Sequence, residues 1–190
     1  DESGRARLLG IGHQRSRGVK AGMIIDPDAA EQAIRAAVGQ AERMAGVTME
    51  QVTLAVSSGR LKSQRFVARA RTETGFATDA DLARLLSGGE AYAARGARTL
   101  VQFHNEAWHV DGAEGVADPR GMACTELSAD LVAVTADDGP MQNLLAVVER
   151  CYLEAHQLVA TPFASAMAVT SEEERQLGVL VIDMGAGTTT

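Results

Sequence analysis

Aromatic residues are scarce in this chain, at 4% of the sequence with a single tryptophan, so any core must be filled by aliphatic side chains and alanine. Cysteine is almost absent. Cys124 and Cys151 stand far apart with no paired-ligand spacing, which leaves no disulfide framework and no cysteine metal knuckle and reads as free thiols in a reducing cytoplasm. An excess of positive charge is lacking too. The formal net charge is −7, with 18 Lys and Arg against 25 Asp and Glu. That balance argues against a nucleic-acid partner, because phosphate binding needs clustered cations. The arginine-rich stretches Arg5–Lys20 and Arg60–Arg71 read instead as solvated surface. No apolar run approaches the roughly 20 residues that cross a bilayer, and there are no internal repeats and no low-complexity segment. The sequence opens Asp1-Glu2-Ser3, without an initiating Met or an apolar leader, and closes inside a turn; both suggest a piece of a longer polypeptide.

What is present suits one domain or two small ones, since 190 residues with 46% hydrophobic and 23% charged can bury a core. Arg7–His13 reads as a short strand and Ser16–Asp26 as a loop. A helix follows: Asp26 can cap it, Pro27 suits its first position, and Ala30, Ala33, Ile34, Ala37, Val38, Ala41 and Met44 recur at helical spacing before Gly46. Val52–Ser58 reads as a strand and the alternating Ser63–Ala70 as its partner. Thr78 with Asp81 predicts a capping box for a helix from Asp79 to about Ala94, interrupted at Gly88-Gly89. Arg98–Gly112 reads as one or two strands, Gly112–Gly121 as loop, Glu126–Asp137 as a strand and Gly139–Ala155 as a helix. His156–Pro162 is predicted as a short strand, Phe163–Ser171 as a small-residue helix packed tightly, and Ser171 with Glu174 as a further cap.

The last stretch carries the chemistry. Val179–Asp183 is nearly all apolar, as a strand buried on both faces would be, and it runs into Gly185-Ala186-Gly187-Thr188. Glycines there would let the backbone turn with positive φ and approach a ligand, and successive N–H groups would form a nest for an anion. Asp183, at the end of the strand, could hold Mg²⁺ through water. A plain β-turn after a core strand has the same appearance. The loop is neither a P-loop nor a dinucleotide fingerprint.

"DMGAGTTT" resembles the second phosphate loop of the actin/Hsp70 ATPase superfamily. Other segments narrow the resemblance to the bacterial cell-division FtsA family: Gly10–Ile34, Ala41–Gly46, Val52–Ser63, Asp118–Met122, Val148–Val169 and Glu173–Thr190, collinear over nearly the whole chain. The resemblance implies an α/β fold, an actin-like (ribonuclease H-like) subdomain from residues 1–71 and 152–190 with a small inserted α+β subdomain at 72–151. It implies that the missing first phosphate loop precedes the chain, and that the second lobe and a membrane-binding amphipathic helix follow it. It further implies ATP and Mg²⁺ binding, with the N–H groups at Gly185, Ala186, Gly187 and Thr188 on phosphate oxygens and Asp183 positioning the metal. The implied partners are FtsZ, later division proteins through the inserted subdomain, further copies in filaments, and the cytoplasmic face of the inner membrane at the septum. Hydrolysis is weak in the family, so no efficient enzyme is implied. Ala186 stands where the family usually has glycine and Thr190 where an acidic residue often lies, so no catalytic residue is assigned.

Two other families fit parts of the pattern. A PilM-type assembly protein of type IV pili also tolerates alanine after the first glycine. A sugar or acetate kinase of the same superfamily would need a catalytic carboxylate motif. Elsewhere, His104 and His109 are an odd number apart and would face opposite sides of one strand. Trp108 could anchor a partner but reads rather as cover for a small core, and the stripe Leu82, Leu85 and Leu86 reads as core before interface. The Gly112–Gly121 loop, with the charges of Asp111, Glu114, Asp118 and Arg120, could make a subunit contact.

Overall fold

The computed structural model describes residues 7–57 and 59–190. The chain divides into two compact units, Asp1–Gly59 with Gly139–Thr190, and Arg60–Asp138.

In the first unit a two-residue hairpin joins β1 (Val19–Lys20) to β2 (Met23–Ile24). Its central Ala21 and Gly22 have φ of 48° and 75°, the left-handed pair that matches the twist of short hairpins. Helix α1 (Pro27–Ala45) starts and stops where its caps require. The Asp26 carboxylate accepts from the N–H groups of Asp28 and Ala29, and Gly46 ends the helix with φ 72°. Strand β3 (Gln51–Val56) pairs in parallel with β8 (Glu154–Ala160), and Val56 and Ala160 are buried at the end of that pairing. Helix α3 (Asp138–Arg150) stops before β8 rather than running on to Ala155. Its terminal Arg150 pairs with Asp28 and with Glu31, the latter at 2.7 Å, on α1. Helix α4 (Thr161–Val169) packs on β8 and β3, and α5 (Glu172–Leu177) begins on the expected Ser171–Glu174 capping box.

Besides the earlier end of α3 and the hairpin within the predicted loop Ser16–Asp26, three further sequence expectations fail in this unit. Arg7–His13 is not a strand: it lies across α1, so close that a Cβ at Gly12 or Gly10 would overlap the carbonyl oxygens of Ala37 and Ala41. Glycine there serves backbone-to-helix contact rather than a turn. Helix α4 is not tightly packed; none of its residues is buried, and Phe163, Met167 and Val169 are exposed. Of the predicted strand Val179–Asp183, only Asp183 is paired, within its own terminal hairpin; residues 179–182 are neither paired nor buried, with Leu180 84% and Ile182 62% exposed. A strand covered on both faces needs a strand beside it and layers above and below, and among the described residues none lies beside this one.

The second unit is a four-stranded antiparallel sheet in the order β4-β7-β5-β6, from β4 (Lys62–Arg71), β5 (Arg98–Val110), β6 (Ala113–Val116) and β7 (Glu126–Asp137). Helix α2 (Asp79–Ala93) packs against β4, β5 and β7. The core is the face of β7 that carries Leu127, Ala129, Leu131 and Ala133, all at 0% exposure, with Leu82 and Leu85 of α2 across from it. Trp108, Phe66, Phe103 and Leu86 cover its margins, as expected of Trp108 and the leucine stripe. The alternate residues of β7, Ser128, Asp130, Val132 and Val134, fall on the opposite face of the sheet, away from the helix, because side chains alternate along a strand.

Strand β4 therefore pairs with β7, not with the preceding β3. The unit runs from Arg60 to Asp138, whereas the sequence reading sets the insertion at 72–151. Both ends shift because β4 is zipped to β7 along its whole length, Lys62↔Thr135 to Arg71↔Glu126, while α3 joins α1 through the Arg150 ion pairs. Helix α2 is continuous through Gly88-Gly89.

Candidate functional site

The loop after Asp183 is a small closed hairpin. Asp183 and Thr190 exchange backbone hydrogen bonds of 2.8 and 2.9 Å, Met184 bridges Thr189, and the Gly185 N–H donates to the Thr188 carbonyl at 2.9 Å. Among the described residues no group accepts from the N–H groups of Ala186, Gly187 or Thr188. Neither Gly185 nor Gly187 has a positive φ, so the expected left-handed turn is not used. Gly187 has a different reason to be glycine. A Cβ there would stand 3.3 Å from the Ala21 Cα, so the β1–β2 turn abuts the loop. The Asp183 carboxylate is half-buried and its Oδ2 accepts from the Ser165 hydroxyl of α4 at 2.8 Å.

A carboxylate held by one hydroxyl keeps its second oxygen for a hydrated cation, and three unengaged N–H groups on an exposed bend suit a phosphate. The residues therefore fit the expected groups in part. Ala186, Gly187 and Thr188 offer donors, but the Gly185 N–H is taken up in closing the turn. Sequence reasoning missed Ser165 and the Ala21-Gly22 turn. Only the turn had a signal, a small residue and glycine between β-branched Val19 and Ile24.

The remaining candidates are structural. His104 and His109 share a face after all: they pair with Val132 and Ser128, four residues apart on β7, because a bulge at Glu106 adds one residue to β5 between them. His109 Nε2 lies 3.1 Å from Asp130 Oδ2. The Asp111 carboxylate accepts from the N–H groups of Thr125 and Glu126, and Arg120 bridges Asp118 and Asp79, so the charges of that loop tie the unit together. Both thiols are free, and burial pushes each above the ordinary thiol range, which keeps them protonated and unreactive near neutrality.

Residues 58–135 match the family model described as the SHS2 domain inserted in FtsA. That span coincides with the second compact unit to within a few residues at each end. Across almost the whole chain, the sequence is 39% identical over 186 residues to the cell division protein FtsA of Agrobacterium fabrum, covering 98% of this chain and 42% of that protein. It is 33% identical over 185 residues to the namesake of Neisseria meningitidis (97% and 45%) and 32% over 190 residues to that of Streptococcus pneumoniae (99% and 42%). The family model and the relatives both point to FtsA, and the similarity runs along nearly the whole of this chain. It spans a little over two fifths of the length of the curated relatives it matches. The SHS2 match accounts for the two-unit division: the matched unit emerges after β3 and the chain returns to the flanking unit at α3. No helix among the described residues is long and apolar enough to cross a membrane.

Proposed function

We propose that the chain is the part of an actin-related FtsA protein that holds one of two phosphate loops and the partner-binding SHS2 unit. The observation that carries this reading is the coincidence of the SHS2 match with a separately folded unit, inside a similarity that runs through both flanking segments. In the intact protein, ATP with Mg²⁺ would lie between two lobes, and the nucleotide would supply a charged ligand whose binding favours polymerisation. The N–H groups of Ala186, Gly187 and Thr188 would bind phosphate oxygens. Asp183, oriented by Ser165, would position the metal through water. The Ala21-Gly22 turn would buttress the loop behind Gly187. The intact protein would tether FtsZ to the inner membrane at the septum and recruit later division proteins through the SHS2 unit.

The test has two parts. Depleting the parent gene in its own bacterium should yield long undivided cells; normal septation would overturn the division role. Calorimetry on residues 1–190 should show ATP binding weaker than about millimolar, because half of a two-lobed clamp offers half of its contacts. Micromolar binding by the chain alone would contradict the assigned layout.

A further inference from the structure

The SHS2 unit leaves one long strand edge open. β4 is the outer strand of the order β4-β7-β5-β6, and its ten residues pair on one side only. Beside that free edge runs a groove of about 880 Å³ whose other wall is α2. Consecutive residues 66–71 of β4 line it, both parities together, so the backbone edge itself forms the wall. On the helix side stand Leu85, Gly88, Gly89 and Tyr92.

The two glycines differ. Gly89 is required by packing, since a Cβ there would meet Leu131 Cδ1 at 2.5 Å and Phe103 at 3.1 Å. Gly88 has nothing within 4 Å of such a Cβ. A glycine inside a helix is unfavourable relative to alanine, and nothing within the unit requires this one. It leaves the groove wall flat beside the strand edge.

Charge selects the occupant. β4 carries Lys62, Arg65, Arg69 and Arg71 and no acid. Arg69 and Arg71 have no ion pair among the described residues. Two copies joined edge to edge through β4 would set arginine against arginine, and directly opposed like charges destabilise a strand pair. We propose that this edge binds an extended acidic peptide of a partner protein as an added strand. Its alternate side chains would be small and apolar in the groove against Ala68, Ala70 and Gly88, and acidic on the other face beside Arg69 and Arg71, since Arg65 is already paired with Glu106. Backbone hydrogen bonds along the edge would supply affinity and the alternation would supply register. The inference deepens the partner-binding part of the proposed function. It can fail while that function stands, because partners could use other surfaces of the same unit.

The test uses the 190-residue chain and dye-labelled peptides of about nine residues, long enough to span the strand. One alternates Asp and Val, one alternates Lys and Val, and one carries the Asp and Val in separate blocks. The alternating acidic peptide should bind at least about tenfold more tightly than either of the others, and β4 amides should gain protection from hydrogen exchange in the complex. Gly88→Leu should weaken that binding at least about tenfold without lowering the unfolding midpoint, because it fills the groove with a better helix former. The surface double variant R69E/R71E should reverse the preference toward the lysine peptide. Equal binding of the blocked peptide would reduce the effect to plain charge and overturn the proposal. So would indifference to Gly88→Leu, displacement of the peptide by phosphatidylglycerol vesicles, or a dimer in sedimentation that Gly88→Leu abolishes.

Discussion

The SHS2 unit and the unit that flanks it are built from similar residues and buried very differently. In the SHS2 unit the large exposed hydrophobics are Val67, Phe76, Tyr92 and Met122, and the centre of β7 is wholly enclosed. In the flanking unit Leu8, Leu9, Ile11, Tyr152, Leu177, Val179, Leu180, Ile182 and Met184 are all exposed, alongside a smaller core around Ala30, Val56, Met141 and Val148. The difference is one of connectivity. The four strands and helix of the SHS2 unit follow one another without interruption, so its apolar faces meet within one stretch of chain. The flanking unit has a two-stranded parallel sheet, and parallel strands need covering layers on both faces before their apolar residues are buried.

Core substitutions should break this comparison most visibly. Leu131→Ala should cost about 2–5 kcal/mol in chemical denaturation. Leu180→Ala should stay within about 0.5 kcal/mol, as exposed positions do. Equal losses would mean that the C-terminal segment is packed after all. A smaller effect comes from the neighbouring glycines. Gly89→Ala should destabilise by about 1–3 kcal/mol because its methyl meets Leu131 and Phe103. Gly88→Ala should stabilise by up to about 1 kcal/mol. A sign change at either position, read by thermal unfolding, would redraw the helix–sheet contact.

Caps sharpen the comparison further because they occur in both units. Thr78→Ala and Asp26→Ala should each cost about 1 kcal/mol, whatever the size of the core behind the helix. A markedly larger loss at Thr78 would show that Asp81 depends on it. The Thr78 hydroxyl donates to Asp81 Oδ2 at 2.6 Å and is the main reason that carboxyl titrates below its usual range, with the Thr78 N–H and Arg84 adding to it. The smallest effect is on pH dependence. Asp81 and Asp118 in one unit, and Glu172 and Glu174 in the other, are all held low by hydrogen bonds. Their contribution is complete above the unfolded values near about pH 4 and is lost as pH falls through the folded ones. Urea midpoints measured across that window should fall in acid. Salt should blunt the fall least for the Asp81 share, since that side chain is buried and Glu172 and Glu174 are exposed.

Signals in the sequence are legible where the chemistry is local. The caps at Asp26, Thr78 and Ser171, the glycine stop at Gly46 and the strand Glu126–Asp137 all appear as expected. What fails depends on partners far along the chain. Ser63–Ala70 alternates equally well beside β3 or β7, and only the match of ten consecutive pairs, Lys62↔Thr135 to Arg71↔Glu126, chooses β7. The odd spacing of His104 and His109 holds for a regular strand, but the bulge at Glu106 reverses its meaning. At the candidate site, the glycine loop is visible in the sequence, whereas Ser165 beside Asp183 and Ala21 behind Gly187 come from residues distant in sequence.

The sequence by itself determined where the capped helices begin and which family the chain resembles, because capping and motif order are written in neighbouring residues. Tertiary structure alone decided the boundaries of the inserted unit, the open edge of β4 and the exposure of Val179–Asp183. Periodicity states which side of a strand is apolar, but burial requires another surface to meet it, and that is a property of the assembled chain.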